Sequence, residues 1–268
     1  MQISSWAKLA CGALLLSTVT MKSAGVFQFQ SGAIQTTLIE LYTSEGCSSC
    51  PPAEAWLSRL KESSKLWKDF VPVAFHVDYW DYLGWKDTLA TRAYTQRQHD
   101  YAGQWRSRSV YTPGFVLDGK EWRGGLNRED LPRASNKPAG VLTALSEDGR
   151  QWTLRFQPAA GSASSSYDFH AALLGFDLIS SVKAGENRGQ KLQHDFAVLA
   201  LVDGKSTRSG DFLQGTVSPN NSTNSRTTRF AFAAWVTSST SLQPIQAVGG
   251  WLTPTNGVLP AKPAAGQK

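Results

Sequence analysis

Two cysteines spaced as Cys47-Ser-Ser-Cys50 are the residues of this chain best suited to chemistry. Two intervening residues in a helical turn place the sulfurs within disulfide reach. A thiolate at such a site can attack a disulfide, and the second thiol can resolve the mixed disulfide that results. A structural clip is the plain alternative, although a loop this short gains little stability from cross-linking. A third reading uses the thiolates as soft metal ligands, with His76 completing a three-coordinate Cu(I) site through Cys47, Cys50 and His76.

The elements that must position the pair are legible around it. Thr37–Tyr42 favours a strand, Thr43–Gly46 breaks it, and Ala53, Trp56, Leu57 and Leu60 form one apolar stripe of a helix running from about Cys50 to Leu66. Pro51 and Pro52 fit only the first turn of that helix. The reading therefore puts Cys50 at the helix start, with Cys47 just outside it as the more exposed sulfur. Phe70–Val77 is a second apolar strand, which makes a βαβ unit with parallel pairing. A helix over about 88–105 follows, then a hairpin turning at Asp118-Gly119 and a short helix capped by Asn127. Between these, Asp78–Asp87 is aromatic and acidic, either an aromatic lip over the dithiol or a structural insertion. From residue 140 to 252 the pattern changes to extended runs separated by turns, which predicts an all-β, sandwich-like unit. His194-Asp195 lies in one of those runs and reads as a satisfied buried pair.

Composition bounds the rest. The chain has 268 residues, a formal charge of +6 and three cysteines, one of them Cys11 in an apolar N-terminal segment. That segment has the form of a secretory signal, so an exported protein of the periplasm or the medium is expected, with Cys47 and Cys50 as its only remaining thiols. Its basic residues are scattered, which argues against nucleic-acid binding. Apart from the signal segment, no membrane association is expected.

Three runs, ELYTSEGCSSCPPAE, AFHVDYWDYLGWKD and VYTPGFVLDG, are similar to those of a secreted bacterial thioredoxin-like family catalogued as a domain of unknown function (twelve twenty-three). AGENRGQKLQHDF, at 184–196, is the most distinctive run of the second half. The resemblance implies an α/β thioredoxin-like domain at 25–136, after a signal peptide at 1–24. A β-sandwich-like domain at 137–252 and a disordered tail at 253–268 would complete the chain. It also implies Cys47 as attacking thiol, Cys50 as resolving thiol, and Pro113 as a cis-proline facing them. Thr112 would then offer its backbone to an extended substrate. Glu40 is the nearest candidate for an acidic group behind the dithiol. The chain departs from the superfamily at Gly46, where an aromatic residue is usual, and at Ser48-Ser49 in place of Gly-Pro. The function expected is thiol–disulfide exchange on an envelope protein or small thiol, with no cofactor beyond the Cys47–Cys50 pair. The alternatives are Cu(I) binding and a non-catalytic binding module with a structural disulfide.

Overall fold

The computed structural model describes residues 27–123, 134–162, 164, 166–220, 227 and 229–252. The expected signal peptide, the helix capped by Asn127 and the C-terminal tail lie outside the described residues.

The βαβ unit forms as the local pattern requires. Strand β2 (Thr37–Thr43) leads through a turn into helix α1 (Cys50–Arg59), and β3 (Phe70–His76) returns parallel to β2. Ser63 and Ser64 follow a single 3-10 turn at Leu60–Glu62, so the helix ends well short of Leu66. Helix α2 (Arg92–Gln104) is capped by the Thr91 side chain, which accepts from the Tyr94 amide. Strands β4 (Gly114–Leu117) and β5 (Lys120–Trp122) make the hairpin on the far side of β2.

The second half overturns the expected fold class. An α/β thioredoxin-like domain followed by a separate all-β domain would need two sheets divided near residue 136. Instead β8 (Tyr167–Gly175), β11 (Ala197–Lys205), β14 (Phe230–Ser238) and β15 (Pro244–Leu252) extend the sheet of β2 and β3. The result is one eight-stranded sheet in the order β15-β14-β8-β11-β3-β2-β4-β5. The molecule is mostly β, with two α-helices among the described residues. The physical reason lies at the edge of β3, whose backbone would otherwise be unpaired in an apolar setting. There the Ala74 amide donates to the Phe196 carbonyl, and Ala197 pairs parallel with Ala74. One core accordingly runs across the junction, from Leu41, Val73 and Phe75 to Phe176, Phe196 and Trp235.

Strand β1 (Phe27–Gln30) joins a second, five-stranded sheet, where it pairs with β6 (Gly140–Ser146). The other members are β7 (Trp152–Pro158), β13 (Phe212–Val217) and β12 (Thr207–Ser209). This sheet covers one face of β8 and β14; Trp152 stacks on Phe232 with 3.7 Å between ring centroids. The buried Gln246 amide ties the sheets to the N-terminal lead-in. It accepts from the Thr36 amide and donates to the Gly32, Ile34 and Gly140 carbonyls.

On the α2 face of the large sheet, Glu40 is fully buried against Arg97. Arg97 donates to both carboxylate oxygens at 2.9 and 3.2 Å, and the Tyr42 and Tyr101 hydroxyls donate to the same group. Removing one partner of such a pair strands the other in low dielectric. Arg97→Ala is therefore expected to lower the unfolding free energy by about 3–5 kcal/mol, read from urea denaturation. A loss below about 1 kcal/mol, the size of an exposed pair, would show that Glu40 is solvated.

Candidate functional site

The turn between β2 and α1 holds the two cysteines, joined as a Cys47–Cys50 disulfide. The Cys47 amide donates to the Ser44 carbonyl and the Cys50 amide to the Cys47 carbonyl, so the turn is closed by its own backbone. Pro51 and Pro52 occupy the first helical positions. They fix the helix start but offer no N–H toward a thiolate. A hydroxyl supplies a donor instead: Ser49 Oγ lies 3.3 Å from Cys47 Sγ.

Opposite the turn, the Thr112–Pro113 peptide bond is cis, and the Thr112 carbonyl oxygen lies 3.7 Å from Cys47 Sγ. Trp80 holds Thr112 in place by donating from its indole to Thr112 Oγ1 at 2.8 Å. The Asp78–Asp87 segment thus buttresses the site: Trp80 braces Thr112, and Trp85 donates to Glu45.

The exposure expected of Cys47 is not found, since both cysteines are 0% exposed. Against the turn lies a strap at residues 182–190 between β9 (Leu178–Ser181) and β10 (Lys191–His194), folded on itself by Gly185 and Gly189 at positive φ. Glu186 accepts from the Ser48 amide and hydroxyl at 2.9 and 2.7 Å. Those bonds hold its carboxyl below the usual carboxylate range, the amide contributing most. Asn187 is buried and donates to the Glu45 and Cys47 carbonyls at 2.9 Å each. A Cβ on Gly46 would sit 2.9 Å from Trp80 Cβ, and one on Gly185 would sit 3.8 Å from the Gly46 Cα. Trp80 therefore leaves no room for a side chain at Gly46. This strap is the run AGENRGQ, distinctive in the sequence without any local sign of where it would lie.

Glu40 does not stand behind the dithiol. Successive strand residues face opposite sides, and Glu40 emerges on the α2 face while the Cys-bearing α1 packs on the other. The carboxylate on the α1 face is Glu54, four residues after Cys50. It accepts from Thr43 Oγ1 at 2.6 Å and contacts His194 Nδ1 at 2.5 Å. Its polar position beside an apolar helical stripe was the available signal. His194 and Asp195 do not pair with each other but take different partners. His194 faces Glu54 and Glu45, while Asp195 takes Lys61 at 2.7 Å. His76 is likewise turned away from the sulfurs, with Nδ1 2.7 Å from Asp87. Cys47, Cys50 and His76 thus do not converge on one point. Among the described residues, the group whose ligand atoms lie within 4.8 Å of one another is Glu54, His76 and His194.

Electrostatics organise this cluster. Burial acts to lower the His194 pKa, but the Glu54 carboxylate, helped by Glu45, overrides it and lifts the value to about 10. Burial would raise the Glu54 carboxyl, yet His194 holds it below its ordinary value. His76 is raised in the same way, Asp87 outweighing the burial that opposes it.

A buried Cys-x-x-Cys disulfide at a helix start, covered by a strap of the same chain, defines a mostly β protein built around a sequestered cysteine pair. A family model described as a protein of unknown function (DUF1223) matches residues 38–237, and the chain belongs to that family. It is also similar in structure to a structural-genomics protein from Agrobacterium tumefaciens, 23% identical, with a TM-score of 0.56 over 85% of this chain and 99% of that one. HBP35 of Porphyromonas gingivalis is similar at 10% identity, with a TM-score of 0.59 over 88% of this chain and 81% of that one. These two likenesses concern the fold alone. No curated protein matches the chain.

The strap rests on hydrogen bonds worth about 1 kcal/mol each, so removing them should open the turn. The double variant Glu186→Ala/Asn187→Ala is expected to speed reduction of the disulfide by dithiothreitol about tenfold or more. Stopped alkylation and mass spectrometry read the rate, and an unchanged rate would show that the strap does not control access.

Proposed function

We propose that the protein is an exported thiol–disulfide oxidoreductase of the cell envelope, acting on a protein or small-molecule thiol. The observation that carries this reading is the disulfide at the start of α1 with the Thr112 carbonyl 3.7 Å from Cys47 Sγ and a hydroxyl donor at 3.3 Å. The likeness to thioredoxin-superfamily proteins that supports it is one of constellation: Cys47, Cys50, Thr112 and Pro113.

In the reducing direction, the Cys47 thiolate attacks one sulfur of a substrate disulfide and expels the other as a thiolate. The Cys50 thiolate then attacks the Cys47 sulfur. That step closes the Cys47–Cys50 disulfide and releases the second substrate thiolate. Run backward from the closed disulfide, the same steps oxidise a substrate dithiol. Both sulfurs are fully buried, so either direction requires the turn to open, with the strap bonded to it through Glu186 and Asn187 as the segment that would lift. Thr112 is placed to pair with an extended substrate segment once the strap is displaced.

The complete burial of both sulfurs favours a second reading, a non-catalytic binding module with a structural disulfide. Activity of single-cysteine variants separates the two. Cys47→Ser is expected to abolish reduction of insulin disulfides, and Cys50→Ser to accumulate mixed disulfides that are resolved by added dithiol. Wild-type protein with no insulin activity, and a Cys50→Ser variant that traps no partner, would leave the structural reading standing.

A further inference from the structure

Thiol exchange leaves a second buried constellation unused. Glu45, Glu54, His76, Asp87 and His194 are all at most 6% exposed and meet beneath α1. Three carboxylates against two imidazoles make a buried locus that favours positive charge. Asp87 holds His76 through Nδ1, which leaves Nε2 aimed into the protein, where it finds no hydrogen-bond partner among the described residues. The two imidazole rings stand edge to face with centroids 4.9 Å apart. His194 Nδ1 meets Glu54 Oε2 at 2.5 Å, and its Nε2 lies 3.2 Å from Glu45 Oε1.

We infer that Glu54, His76 and His194 form a binding site for a divalent first-row transition cation, Zn2+ being the fitting case, held without the cysteines. One ligand atom from each residue already lies within 4.8 Å of the others. Ligands at about 2.0–2.2 Å from zinc lie about 3.3–3.6 Å apart in a tetrahedron, so small side-chain shifts close the set. The outer contacts are those a metal-bound histidine needs. Asp87 orients His76, and Glu45 stands ready to accept from His194 once Nδ1 turns to the metal. The cation would take the place of the hydrogen bond that now joins Glu54 and His194. Two imidazoles and a carboxylate suit zinc and its neighbours rather than Cu(I), which prefers thiolates. Glu54 also lines an open groove of about 490 Å³ with Pro51, Lys61, Gln190 and Asp195. Neither histidine lines that groove, so an ion entering from it would have to pass the Glu54 side chain.

The site is independent of thiol chemistry and is tested on untagged protein with its disulfide closed, so that no thiolate is available. After stripping with a chelator, Co2+ is titrated in as a spectroscopic stand-in. One equivalent should produce visible d–d bands with no near-ultraviolet thiolate charge transfer, and one equivalent of Zn2+ should remove them. X-ray absorption of the zinc-loaded wild type should show two imidazoles and no sulfur, a readout that does not depend on any variant folding. Glu54→Gln and His76→Gln, checked for folding by circular dichroism, should each weaken binding at least 100-fold. Absent d–d bands, a sulfur ligand or fewer than two imidazoles would overturn the site, as would folded variants of undiminished affinity.

Discussion

Ionisable groups can be buried under α1 because each imidazole sits against carboxylate, His76 against Asp87 and His194 against Glu54 and Glu45. A buried charge left without its partner costs several kcal/mol, so the five side chains there have to arrive together. They come from the Cys47 turn, α1, β3, the Asp78–Asp87 segment and β10. One of these elements, β10, belongs to the second half of the chain, so the halves are tied together here as well as through the pairing of β11 with β3. His194 is delivered to Glu54 only if β10 and the strap before it lie against the cysteine turn. The same placement lays Asn187 over Cys47 and Glu186 over Ser48. Charge pairing beneath the turn and burial of the disulfide above it are thus two consequences of one packing arrangement.

The opposite face of the sheet repeats the logic. Glu40 and Thr43 lie on the same strand three residues apart and so face opposite sides. Glu40 is neutralised by Arg97 of α2, and Thr43 supports Glu54 of α1. The β2 strand is therefore pinned on both faces by polar contacts within an otherwise apolar run. Its C-terminal end, where the cysteine turn begins, is held in register with His76. That pinning sets Cys47 against Thr112, while the strap is held to the turn by a few hydrogen bonds through Glu186 and Asn187.

Much of this was legible locally and little of it at long range. The strand–helix–strand pattern around the cysteines shows in periodicity alone, and Pro51-Pro52 marks the helix start. Most of the later strands also show as extended runs. Which strand lies beside which does not show: β3 meets β11 more than a hundred residues away, and β1 leaves its neighbours to join β6. The extended run that carries His194-Asp195 divides at Asp195-Phe196, where Phe196 takes a positive φ. That break lets β10 and β11 serve different sheets. The choice of Glu40 over Glu54 followed from proximity in sequence, whereas strand parity decides which carboxylate shares a face with α1. Cys47 reads as exposed because its own loop is polar, whereas Thr112, set against its sulfur, and Asn187, bonded to its carbonyl, lie 65 and 140 positions away.

The equilibrium reduction potential of the Cys47–Cys50 pair in the intact chain bears most directly on whether this disulfide works or merely holds. Titration against glutathione redox buffers, read by thiol alkylation, gives it. A redox centre under a movable strap should titrate between about −120 and −270 mV, the range of catalytic dithiols. A potential below about −300 mV, typical of structural disulfides, would contradict it.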